Sequence, residues 1–179
     1  ADQGITADFL GNLFYYLVAH RMAGPNQKER CAELWKEIQG LYAHFDIADR
    51  LQNLTMGMLR KKSASSPKLR ASAAHTRALV KVAKELVVKH LSKDDPAEQA
   101  MAVASHALSE CYESLSSSSI FWGCILPEQS KRFAAQLVAL EAHSGGQRWR
   151  VKPKLNLLLE MCSEGSQPSK VWTYRDEDF

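Results

Sequence analysis

The chain has 179 residues, of which 45% are hydrophobic and 24% charged, an ordinary balance for a globular protein long enough to bury a core without staples. Four cysteines with no C-x-x-C pair exclude a local zinc or dithiol motif, so they read as small buried hydrophobes of a reducing compartment. The apolar run over 120–126, broken at Gly123, is far too short to span a bilayer, and no signal-peptide pattern is present. The net charge of +3 hides an asymmetry: ten basic residues and the single acid Glu85 between Arg60 and Lys93 give that segment +9, leaving −6 elsewhere.

In chain order, Asp8 is placed to cap a first helix over 8–22, with Phe9, Leu10, Leu13, Phe14, Leu17 and Val18 at helical spacing. Asn26 followed by Glu29 has the pattern of a capping box and opens a second helix over 27–44. Cys31, Leu34, Trp35, Ile38, Leu41 and Tyr42 give it a broad apolar face. A short helix is expected around Ile47–Leu54, then a turn capped by Thr55 through Leu59. After the loop at 62–66, Ser66 with Pro67 predicts a long helix over 67–91. Asp95 and Pro96 start another over 96–115, followed by a four-serine turn at 116–119. Pro127 opens a helix to 143, ended by Gly145-Gly146, and Pro153 opens a last one to 162. The pattern predicts an all-α fold, an irregular bundle of about six to seven helices in a single domain over 1–179. Trp35, Ile38, Tyr42, Leu108 and Phe133 are its expected core residues. The chain starts at Ala1 and reads as a fragment of a longer protein.

Two basic features carry the candidate chemistry. On the predicted fourth helix, Arg70, Arg77, Lys81 and Lys84 fall within about 60° of one another at 100° per residue. Such a stripe can track a nucleic-acid backbone, dock on an acidic protein surface, or simply face water. In Arg148-Trp149-Arg150-Val151-Lys152-Pro153-Lys154, an extended backbone sends Arg148, Arg150, Lys152 and Lys154 to one side and Trp149 and Val151 to the other. That segment is either a phosphate or acidic-partner grip or a connector pinned by its tryptophan. The tail Asp176-Glu177-Asp178 can supply one metal ligand but not a whole site. His20, His44, His90 and His143 sit in last turns of predicted helices, where a cation suits the dipole. No H-E-x-x-H, G-x-S-x-G or P-loop pattern occurs, so no metal or cofactor is assigned.

The phrases ADQGITADFLGNLF, DRLQNLTMGMLRK, SPKLRASAAHTRALV, RWRVKPKLNLLLEMCSEG and VWTYRDEDF together resemble a multicopy, transposon-like protein family of dinoflagellates, with DDE, RNase H-like transposase ancestry. DDE enzymes hold metal with carboxylates on a small α/β core, and in hAT-like members a large helical insertion separates the second and third acids. The resemblance implies that Asp2 stands at the second carboxylate and Glu177 at the third. The strands for the first carboxylate lie outside these residues, which implies a domain that is not catalytic by itself.

The leading expectation is therefore a transposon-derived, non-catalytic helical domain that binds nucleic acid, or an acidic protein surface, through basic residues. The alternative is a helical scaffold or accessory subunit of a larger assembly, in an organelle or a photosynthetic complex. The expected setting is intracellular, with nucleus or cytoplasm ahead of an organelle and no transmembrane segment.

Overall fold

In the computed structural model the described residues are 2–60, 65–116 and 125–163, with the backbone alone for residues 2 and 3. Their regular structure is all helical, as the periodicity predicts, with no strand among them. A π-helical turn, Asp2–Thr6, leads into α1 (Ala7–His20), and then α2 (Gln27–His44), α3 (Met56–Leu59), α4 (Ala73–His90), α5 (Pro96–Ser116), α6 (Ile125–His143) and α7 (Lys154–Met161) follow. No helix is long and apolar enough to cross a membrane among these residues. The four-serine turn lies largely outside the described residues, and the acidic tail wholly so.

The axis of the bundle is α1. Its predicted apolar residues are all buried, and so are Gly11, Asn12 and Tyr15 on its other sides. A helix enclosed on nearly every side packs against neighbours all round. Its main neighbours are the π turn, α2, α3 and α4, with side-chain contacts to α5 and α6, while α5 packs along α6 and against α4. The Asn26 cap forms as read, Glu29 N–H donating to Asn26 Oδ1 at 3.0 Å, while the reciprocal bond to Glu29 Oε1 (2.9 Å) comes from Asn26 Nδ2 rather than from its backbone N–H. Likewise Asp95 Oδ1 accepts from the Ala97 and Glu98 amides at the start of α5.

Three local expectations are corrected. Asp8 does not cap α1; Thr6 holds that position and the π turn precedes it, so Asp8 sits within the first turn. Residues 47–54 form no helix; they run as bends and extended chain, with Leu51 and Leu54 buried. The fourth helix starts six residues later than Pro67 suggests, with Ser72 as its cap, its Oγ accepting from His75 N at 3.2 Å. Residues 66–71 instead cross α1 as extended chain. Lys68 N donates to Leu59 O (2.8 Å), Leu69 N to Ala7 O (2.9 Å) and Arg70 N to Met58 O (3.0 Å). Asn12 Nδ2 donates to Pro67 O at 2.9 Å. These partners satisfy the backbone groups that a helix would have used.

Of the five expected core residues, Ile38, Tyr42, Leu108 and Phe133 are buried. Trp35 is only partly buried, packed edge-on to Tyr42 with centroids 6.1 Å apart. Trp35→Ala should therefore cost about 1.5–2.5 kcal/mol, roughly half the loss expected for a fully buried ring. Chemical denaturation read by far-UV circular dichroism checks this. A loss above about 4 kcal/mol would place the ring in the core after all.

Candidate functional site

The predicted basic stripe does not survive as one face. Arg70 lies in the extended crossing segment, not on α4, so it does not share a helix face with Arg77, Lys81 and Lys84. The α4 cations are also engaged within the chain. The Lys81 ammonium sits 4.3 Å from the Phe45 ring centroid. The Lys84 ammonium lies 3.9 Å from Glu113 of α5, and Arg77 is partly buried. At the end of the helix, Lys89 (3.0 Å) and His90 (2.7 Å) both meet Glu37 of α2. Burial works to raise the Glu37 pKa, but the His90 and Lys89 hydrogen bonds outweigh it and hold the carboxyl below its ordinary value.

The second basic feature keeps the alternation read from its sequence. Trp149 is 6% exposed and Val151 is partly buried, while Arg150, Lys152 and Lys154 are exposed. The backbone is not a plain extended strand, because Trp149 has φ 57°. That left-handed kink tucks the indole against Phe9 of α1, 5.6 Å between centroids. Phe9 in turn meets Phe133 of α6 edge-on at 5.4 Å. Two groups at the end of α6 secure the kink: Ser144 Oγ donates to Arg148 O (2.8 Å), and Glu141 Oε1 accepts from Val151 N (2.9 Å). Arg148 is drawn away from its expected companions, with its guanidinium carbon 5.5 Å from the Tyr15 ring centroid.

What the fold brings together is Lys68 of the crossing segment with Arg150 and Lys152 of the second basic feature. A cleft of about 170 Å3 opens between the start of α1, the crossing segment, α6 and the 149–155 connector. Phe9, Leu137, Trp149 and Leu155 give it apolar walls, and Lys68, Arg150 and Lys152 stand on its edge with Asp8. Asp8 takes a hydrogen bond from Lys152 and lies 3.9 Å from Lys68. Three cations against one carboxylate leave the edge at +2. Arg70 follows two residues after Lys68, and the Lys154 side chain lies against Gly4 of the π turn. Lys68 was not singled out in the sequence, because helical spacing from Pro67 sets it apart from the stripe. Only the crossing of α1 puts it beside Arg150.

A second polar cluster is structural. Glu98 of α5 is fully buried. Arg21 binds both its oxygens (2.5 and 2.6 Å), Tyr16 donates to Oε1 (2.5 Å) and Ser92 N donates to Oε2 (2.7 Å). Burial favours the protonated acid, but the Tyr16, Ser92 and Arg21 hydrogen bonds together hold its pKa below the ordinary value. Burial and the Glu98 bond push the Tyr16 hydroxyl up to about 12, so it remains a donor.

Neither carboxylate that the family resemblance assigns to metal has a described side chain. The backbone at Asp2 belongs to the π turn, its side chain is not described, and Glu177 lies outside the described residues. Among the described residues no group of three or more His, Cys, Asp or Glu is arranged to hold a metal ion. Cys31, Cys111 and Cys162 are buried free thiols, and burial raises each pKa, to about 12 for Cys111 and about 11 for Cys162. No protein family, curated protein or solved structure matches the chain.

Proposed function

We propose that the chain is a non-catalytic helical binding module that engages a nucleic-acid backbone through the basic edge of the cleft. The observation that carries this reading is the meeting of Lys68, Arg150 and Lys152 on one edge, from segments nearly half the chain apart. Arg70 and Lys154 extend the same two segments, and both are exposed. Lysine and arginine arranged along an edge neutralise phosphates and release counterions, which gives affinity without base recognition. The α4 cations Arg77, Lys81 and Lys84 contribute less in this reading, because the chain's own Phe45 and Glu113 already engage two of them. A transposon-derived origin is compatible with such a module and is proposed on the sequence resemblance alone.

The test is duplex binding against salt. Replacing Arg150 and Lys154 together by Gln should lower the slope of log affinity on log salt by about two, since each phosphate contact contributes close to one. Stability should change little, because exposed charges contribute little to folding. An unchanged slope overturns the reading. If the pair of changes instead abolishes capture of an acidic protein while duplex binding stays weak and unaltered, the scaffold or accessory-subunit reading takes its place.

A further inference from the structure

The cleft edge is charged, but its floor is a different kind of surface. Phe9, Trp149 and Leu155 form the apolar part of the cleft, whose whole volume, open at the charged edge, is about 170 Å3. An apolar cavity of about 150 Å3 accommodates a benzene ring, so the cleft has room for a ring. Asn12 also lines it, 4% exposed, and its Oδ1 has no hydrogen-bond partner. The orientation of that amide is fixed, because Nδ2 donates both to Asp8 O (2.8 Å) and to Pro67 O (2.9 Å). A buried acceptor left without a donor is costly; this one has almost no accessible surface, so a ligand N–H pairs with it by displacing what covers it. At the mouth, Lys152 is shared with Asp8, whereas Arg150 has no ion-pair partner among the described residues.

We infer that this cleft binds a small planar organic acid. A single or fused aromatic ring lies against Phe9, Trp149 and Leu155, a ring N–H donates to Asn12 Oδ1, and a carboxylate outside the ring meets Arg150 and Lys152. The cations at the mouth select the acid, the walls select a flat apolar body, and Asn12 selects a donor on that body. This inference does not rest on the polyanion reading. The cleft can take a small acid whether or not its edge also follows phosphates, and the two are measured separately.

Titration calorimetry with three probes tests it: indole-3-acetate, which has ring, donor and carboxylate; naphthalene-1-acetate, which lacks the N–H; and indole-3-ethanol, which lacks the charge. The full protein should bind indole-3-acetate most tightly, with indole-3-ethanol weaker by about tenfold for the lost charge-assisted contact. Naphthalene-1-acetate should be weaker by about fivefold, because the Asn12 acceptor then stays unpaired. Arg150→Gln, an exposed change that leaves folding intact, should bring indole-3-acetate down to the level of the uncharged probe. Leu155→Phe, which fills the floor, should abolish binding of all three. Because that variant can fail to fold, its melting curve is recorded first and Arg150→Gln stands as the independent check. No heat with indole-3-acetate at millimolar concentration, or equal affinity for all three probes, overturns the inference.

Discussion

Gly11→Ala should be among the most damaging single changes in the chain. A Cβ at residue 11 would lie 2.3 Å from Leu69 N, 2.4 Å from Lys68 Cα and 2.5 Å from Lys68 C. All three are backbone atoms of the crossing segment, so no side-chain rotation relieves the clash. Relief means moving that segment off α1, which breaks the Leu69 N to Ala7 O and Asn12 to Pro67 O hydrogen bonds. The expected loss is about 3 kcal/mol or more, at or above the top of the usual range for overpacking. Gly40→Ala is the control. Gly40 lies within α2, is exposed, and has nothing within 4 Å of an added Cβ. It should stabilise by about 0.5–1 kcal/mol through helix propensity alone. Urea denaturation of the two variants checks the pair, and a Gly11→Ala protein as stable as the parent would mean that residues 66–71 do not cross there.

The Glu98 cluster gives the second large effect. Glu98→Ala removes a buried carboxylate and strands the Ser92 amide and the Tyr16 hydroxyl, which tie α1 to the turn before α5. The cost should be about 3 kcal/mol, the low end for a broken buried ion pair, because Arg21 reaches water once released. For a chain of this size that lowers the melting temperature by roughly 10 °C. The pH dependence follows from the direction of the Glu98 shift. Its folded pKa lies below the unfolded value, so its contribution is complete above the unfolded pKa of about 4.3 and disappears as pH falls through the lower folded value. Melting curves of parent and Glu98→Ala should differ widely at pH 7 and draw together as pH falls below the ordinary glutamate range. A gap that stays constant as pH falls through and below that range would show that the carboxylate stabilises only by packing.

The features legible in the sequence are those whose partners are near in the chain. The Asn26 cap, the Asp95 cap and the α1 periodicity each involve residues within a turn or two of one another. The failures have a common cause. Ser66-Pro67 is a sound helix start, yet the amides of Lys68, Leu69 and Arg70 find partners on Leu59, Ala7 and Met58, and those long-range bonds decide the conformation. Ser72 carries the same capping chemistry and takes the role instead. Residues 47–54 have helical periodicity but bury Leu51 and Leu54 without forming one. The candidate site is only half legible for the same reason. The alternation around Trp149 is local and holds, whereas the union of Lys68 with Arg150 and Lys152 depends on a crossing that no local pattern encodes. Trp35 misleads in the opposite way, since a place on the apolar face of a helix does not ensure a neighbour above it.

The central claim, that the basic cleft edge rather than the α4 face is the binding surface, is most directly tested by amide chemical-shift mapping during titration with a short DNA duplex at low salt. The account predicts that the largest shifts fall at residues 66–70 and 148–154, decline together as salt is raised, and leave the exposed α4 residues Lys81 and Lys89 nearly unmoved. Shifts concentrated on α4, with the cleft edge silent, would contradict it.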